Sequence, residues 1–231
     1  KACLKLLTST SHRDSLPHSI PDTFRQLRPW VHQGWEMVLL AAELVRSDSP
    51  LVLQGTKVFS ANYDFHCQQA LEAWHWSPCQ LQEALEEVRL EAINNNLTNW
   101  LGLHRPFPYV VERLQKFHAE GVDFAVLTTK RGDFTAELLN LLKLQPNWLF
   151  GHEAGEKTDV LLQLTKKQDV RGFVEDRRTT LENVLKTNGL ASIPCYLASW
   201  GYLKPEDKLQ LPQRIHLLEI KTLSAPLASW P

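Results

Sequence analysis

The sequence predicts an α/β protein, with a Rossmann-like parallel-sheet core and a helical companion, and three observations carry the prediction. Residues 121–130 read Gly-Val-Asp-Phe-Ala-Val-Leu-Thr-Thr-Lys. Within them an apolar run, 124–127, is cut off by two hydroxyls and an amine, the pattern of a short strand buried on both faces. Helical spacing flanks that run. Val110, Val111, Leu114 and Phe117 precede it and stop at Gly121, while Phe134, Leu138, Leu139 and Leu142 share a face after it. Helix, strand, helix with short joins is half of a parallel α/β unit. Near His104-Arg105-Pro106 the pattern changes from helical periodicity to short apolar runs alternating with helices. Residues 1–103 are therefore expected to form a helical domain, and residues 104–231 a core with a mostly parallel sheet.

In chain order, residues 1–7 read as the tail of a helix already under way, because no capping residue precedes Leu4, Leu6 and Leu7. A polar loop over 8–21 leads to a helix opened by Pro21-Asp22 and carrying Phe24, Leu27 and Trp30. Trp35, Val38, Leu39, Ala42 and Val45 form an amphipathic stripe. The pattern over 62–74 is helical but weaker. Ser77-Pro78-Cys79-Gln80 supplies a cap, a proline at the first helical position and a glutamine able to close a capping box. The helix it opens lines up Leu81, Ala84, Leu85, Val88 and Ala92, and Asn94-Asn95-Asn96 is expected to end it. In the second half, strands are expected at 124–127, 148–150, 172–174 and 193–197, with a further one at 215–220.

The chain has 231 residues and a formal charge of −1, which gives no basic surface for nucleic acid or acidic membranes. No apolar run reaches the roughly 20 residues that a membrane span needs. Cys3, Cys67, Cys79 and Cys195 are scattered, which suits reduced thiols in a cytoplasmic setting. His66, Cys67, His75 and Cys79 have no compact zinc spacing, since Cys79 falls in the first turn of a helix. Asn96-Leu97-Thr98 matches a glycosylation acceptor, a tripeptide that is frequent by chance. No phosphate loop of Gly-x-Gly-x-x-Gly or P-loop type occurs, and no Gly-x-Ser-x-Gly elbow.

Three polar clusters sit at corresponding places in the second half. Thr128-Thr129-Lys130 ends the first strand, Lys157 follows the second where a helix begins, and Glu175-Asp176-Arg177 ends the third. Parallel sheets bind ligands beyond the carboxyl ends of their strands, where these clusters fall. A hydroxyl, a cation and an acidic pair are what a phosphoryl group and a divalent cation require together. Taken singly, each has a plainer reading: Thr128 and Thr129 as helix caps, Lys157 as a solvated helix-start lysine, Glu175 and Asp176 as caps or partners of Arg177. The set on successive strand ends favours chemistry.

This ordered set resembles the haloacid dehalogenase superfamily, in the branch of phosphoglycolate phosphatase and β-phosphoglucomutase, which carries a helical cap. Ala125-Val126-Leu127-Thr128-Thr129-Lys130 is similar to the family's second motif, Lys157 to the lysine of its third and Phe173-Val174-Glu175-Asp176 to its fourth. The resemblance implies that Thr128, Thr129 and Lys157 hold the phosphoryl group and that Asp176 and Glu175 bind Mg²⁺. It makes residues 1–103 the cap. A small phosphorylated metabolite is the implied substrate, with no nucleic-acid or membrane partner. Two details depart from the usual pattern: no proline follows Lys157, and Glu175 stands where glycine is common.

The family's first motif, Asp-x-Asp-Gly, does not occur. Without its aspartate no covalent aspartyl-phosphate can form. The chain opens on Lys1 and its sole methionine is Met37, so the expectation is that an N-terminal segment of roughly 15 to 30 residues, including a strand of ordinary length, is missing from the core. A split between the strands ending at Thr128 and Glu175 is then expected. The alternatives are a non-catalytic relative that binds a ligand or partner, and a helical interaction module anchored by exposed tryptophans.

Overall fold

A computed structural model describes residues 1–231. The chain divides into two compact units, Lys1–Trp100 and Leu101–Pro231. It is a mixed α/β protein whose strands all lie in the second unit. No helix is long and apolar enough to cross a membrane.

The first unit is built from α1 (Ala2–Leu6), α2 (Thr10–Asp14), α3 (Asp22–Leu27), α4 (Gly34–Glu43), α5 (Pro50–Ala61), α6 (Tyr63–Trp74) and all but the last two residues of α7 (Pro78–Gly102). Its core joins Leu27, Val38, Leu39, Leu40, Phe59 and Leu81. The box at the start of α7 forms: the Ser77 hydroxyl accepts from the Gln80 amide, and the Gln80 side chain accepts from the Ser77 amide. The helix opened by this box stops at Asn96, which has non-helical φ and ψ of −163° and 88°, and a second helical segment follows it within α7. The Asn96 side chain accepts the Asn99 amide, so one residue stops a helix and caps the next. Two buried carboxylates are fully engaged within this unit. Glu43 accepts from Arg46, Ser49 and Trp74, and Glu36 from the His32 and Gln33 amides and the Tyr63 hydroxyl. Such satisfied buried acids are structural. Trp30, Trp35, Trp74 and Trp76 of this unit are partly buried, and Trp100 is buried.

The second unit runs α8 (Val110–Phe117), β1 (Ala125–Leu127), α9 (Gly132–Leu141), β2 (Trp148–Phe150), α10 (Lys157–Thr165), β3 (Phe173–Glu175), α11 (Arg178–Lys186), β4 (Cys195–Ala198), β5 (Ile215–Leu218) and α12 (Ile220–Ser224). Every strand pairing is parallel. The strands form two sheets, β1-β2 and β3-β4-β5, rather than one.

One face of the larger sheet, with Phe173, Cys195, Leu197 and Ile215, packs against Leu161 of α10 and Leu181 and Val184 of α11. Leu127, the last residue of β1, packs on this same cluster, so the two sheets share a core without sharing a ladder. Tyr196 and Leu218 point to the opposite face and meet Leu223, Val110 and Trp230. Helices on both faces explain why these strands read as continuous apolar runs.

Candidate functional site

Lys157 is the first residue of α10, and Glu175 the last of β3. The α10 helix packs through Leu161 on the face that carries Phe173, and two residues on, Glu175 lies on that face by strand alternation. The side chains meet there: Lys157 Nζ donates to Glu175 Oε2 at 2.5 Å, with the side chains 22% and 11% exposed. Burial pushes the Glu175 carboxyl above the ordinary glutamate range. The Lys157 charge pulls it down, and the adjacent Asp176 adds to the upward push. The desolvation of a nearly buried carboxylate outweighs its ion pair here.

Asp176 follows at the strand end, where its carboxylate accepts the Tyr202 amide at 3.2 Å. That amide belongs to the turn after β4. Gly201, its neighbour, passes so close that a Cβ there would lie 2.1 Å from the Asp176 Cβ and 2.8 Å from Oδ2. The sequence reading did not single out Gly201 or Tyr202. The signal available was a glycine between two aromatics directly after an apolar strand, Trp200-Gly201-Tyr202.

Thr128 stands at the carboxyl end of β1. Its amide donates to the Phe150 carbonyl at 2.9 Å, and its hydroxyl accepts the Lys130 amide at 3.1 Å. Thr129 is exposed in the bend that follows. Beyond that bend, the Glu153 carboxylate accepts the Gly132 amide at 3.0 Å and so caps α9 from outside the helix. Gly132 and Gly151 make that approach possible, because a Cβ on Gly151 would fall 2.3 Å from the Gly132 nitrogen. The structure thus brings Lys157, Glu175 and Asp176 together, and sets Thr128 and Thr129 at the carboxyl end of the smaller sheet.

No family model, no curated protein and no solved structure matches this chain. The site's chemistry rests on its own residues. Glu175 and Asp176 offer hard oxygen donors, and Mg²⁺ takes one or two carboxylates with water and substrate oxygens completing its shell. Their number fits that habit; no group of three or more His, Cys, Asp and Glu residues gathers to hold a metal ion. His66, Cys67, His75 and Cys79 form no such group either.

Proposed function

We propose that this chain provides the phosphoryl- and metal-binding groups of a Mg²⁺-dependent phosphatase of the haloacid dehalogenase type, with a parallel core and a helical cap, acting on a small phosphorylated metabolite. The observation that carries this reading is the contiguous set of Lys157, Glu175 and Asp176 at the carboxyl end of β3. Asp176, with Glu175, would hold Mg²⁺, which supplies neutralisation of phosphoryl charge when bound. Lys157 holds Glu175 in place and directs its positive charge to the same point. At about 4 Å and an effective dielectric near 20, a charge pair is worth roughly 4 kcal/mol, more than one hydroxyl provides. Thr128 and Thr129 donate hydroxyls to the phosphoryl oxygens from the end of β1.

Covalent transfer through an aspartyl-phosphate needs the aspartate of an Asp-x-Asp-Gly motif, which this sequence does not contain. The sheet division is in keeping with that. β1 and β3, which carry Thr128 and Glu175, each have one hydrogen-bonded neighbour, leaving an edge apiece for a strand bearing the nucleophile. The absence of Asp-x-Asp-Gly also favours a second reading, a ligand-binding relative without turnover.

Titration of the chain with inorganic phosphate, with and without Mg²⁺, tests the site. Binding strengthened by Mg²⁺ and weakened on the order of tenfold by Asp176→Asn is expected, as loss of one charge-assisted contact implies. Phosphate binding indifferent to both Mg²⁺ and Asp176 overturns the reading. A strand of Asp-x-Asp-Gly type joined ahead of Lys1 then separates the two readings. Turnover of p-nitrophenyl phosphate supports the enzyme, and binding without turnover supports the non-catalytic relative.

A further inference from the structure

We infer that the turn after β4, through Gly201 and the Tyr202 amide, is the device that aims Asp176, so that the metal affinity of the site depends on a glycine outside the acidic pair itself. The inference rests on the metal role proposed for Asp176 and goes beyond it to what positions that residue. Two separate geometric facts converge. The Tyr202 amide donates to Asp176 Oδ2 at 3.2 Å, fixing one carboxylate oxygen from a segment 26 residues away in sequence. The Gly201 backbone lies against the Asp176 side chain so closely that a methyl group there would occupy its space, 2.1 Å from Cβ and 2.9 Å from Cγ.

Both atoms that such a methyl would strike first belong to a short side chain, which has no flexible end to swing aside. The nearest of them, the Asp176 Cβ at 2.1 Å, is fixed by the backbone and moves with no side-chain rotation, so alanine at 201 must displace the turn from the end of β3, which pulls the Tyr202 amide off Asp176. The turn is itself held down independently. Ser199 donates its amide to the Leu218 carbonyl and its hydroxyl to Glu219, and Lys208 reaches the Ser199 carbonyl. A carboxylate held by one amide keeps its other oxygen available to a cation, and the constraint removes rotamers that a metal would otherwise have to select. Gly201 and Tyr202 are thus positioning residues, acting through Asp176.

The test is metal binding by the full chain, measured by calorimetry with Mg²⁺ and by electron spin resonance with Mn²⁺. Gly201→Ala is expected to weaken both about tenfold or more while thermal unfolding stays cooperative, the range seen when groups orienting a ligand are altered. Tyr202→Phe, which keeps the amide, should bind like the parent. If Gly201→Ala does not fold, replacing the Tyr202 amide by an ester removes the hydrogen bond to Asp176 without adding a side chain, and a several-fold loss is expected. A folded Gly201→Ala chain or ester analogue that binds both ions like the parent overturns the positioning role and leaves the Asp176 site standing. A parent chain that binds neither ion, or binds them equally after Asp176→Asn, removes the metal role of Asp176 and this inference with it.

Discussion

The Lys157–Glu175 pair sets the terms at the residue scale. With side chains 22% and 11% exposed, it lies between a surface pair of little value and a buried pair whose rupture strands a charge. Lys157→Ala leaves Glu175 without its cation and is expected to cost about 1–3 kcal/mol in urea unfolding at neutral pH. Glu175 already titrates above its ordinary range, so its protonated form is favoured in the folded state. Its contribution to stability is full below the unfolded value and is lost as pH rises through the folded one. Without Lys157 that loss deepens, so the deficit of Lys157→Ala should grow with rising pH. Adding Glu175→Gln should recover much of it, and a double-mutant cycle with no coupling would contradict the pair.

The thiols make a second case at this scale. Cys3, Cys67 and Cys195 are buried, and burial pushes Cys3 and Cys67 to about 12 and Cys195 to about 11. Cys79 is exposed, its thiol raised by the hydrogen bond to Glu83. Treating the native chain at pH 8 with an aromatic disulfide reagent should release one equivalent quickly and the other three only on unfolding. Glu83→Gln should speed the first reaction by increasing the thiolate fraction. Two or more fast thiols would be incompatible with this core.

Among the elements, the strands at the sheet division behave least like their sequences. Ala125, Val126 and Leu127 are only half-buried, and Val174 is 40% exposed, although all four are apolar. β1 bonds β2 on one side, where the amides of Phe124 and Thr128 point to Asn147 and Phe150. By strand alternation the amides of Ala125 and Leu127 point the other way, as does Val174 in β3, since the Phe173 amide points to Pro194. Hydrogen exchange should therefore be faster at Ala125, Leu127 and Val174 than at Val126, Thr128 and Phe173. Addition of a strand along these edges should slow the first set selectively. Equal protection of both sets would mean that the edges are already paired.

For the whole molecule, residues 102–109 are exposed without interruption at the start of the second unit, beside the boundary between two units that each have a hydrophobic core. Domain boundaries fall in such stretches, where a protease can draw the backbone into its cleft without unfolding a core. Brief digestion with chymotrypsin should cut first at Leu103 or Tyr109, producing two resistant fragments. Early cleavage instead at Tyr63 or Tyr196, both buried, would mean that one unit is not independently compact.

Much of the local structure was legible because it is written in neighbouring residues. The Ser77–Gln80 box, the stop at Gly121 with its φ of +71°, the helix beginning at Lys157 and the short apolar strands all follow from spacing and capping chemistry. The short helix at Thr10–Asp14 and the second helical segment that follows the stop at Asn96 were not legible, since weakly periodic stretches are decided by what they pack against. The sequence could also place Thr128, Lys157, Glu175 and Asp176 at strand and helix ends, because those ends are local features. Only the tertiary structure decided that Lys157 spends its charge on Glu175, that Gly201 and Tyr202 hold Asp176, and that Glu153 caps α9. It also decided that the strands divide into two sheets over a shared core. Each of these joins residues far apart in the chain. Hydrogen bonds and desolvation depend on distance in space, which no periodicity along a sequence encodes.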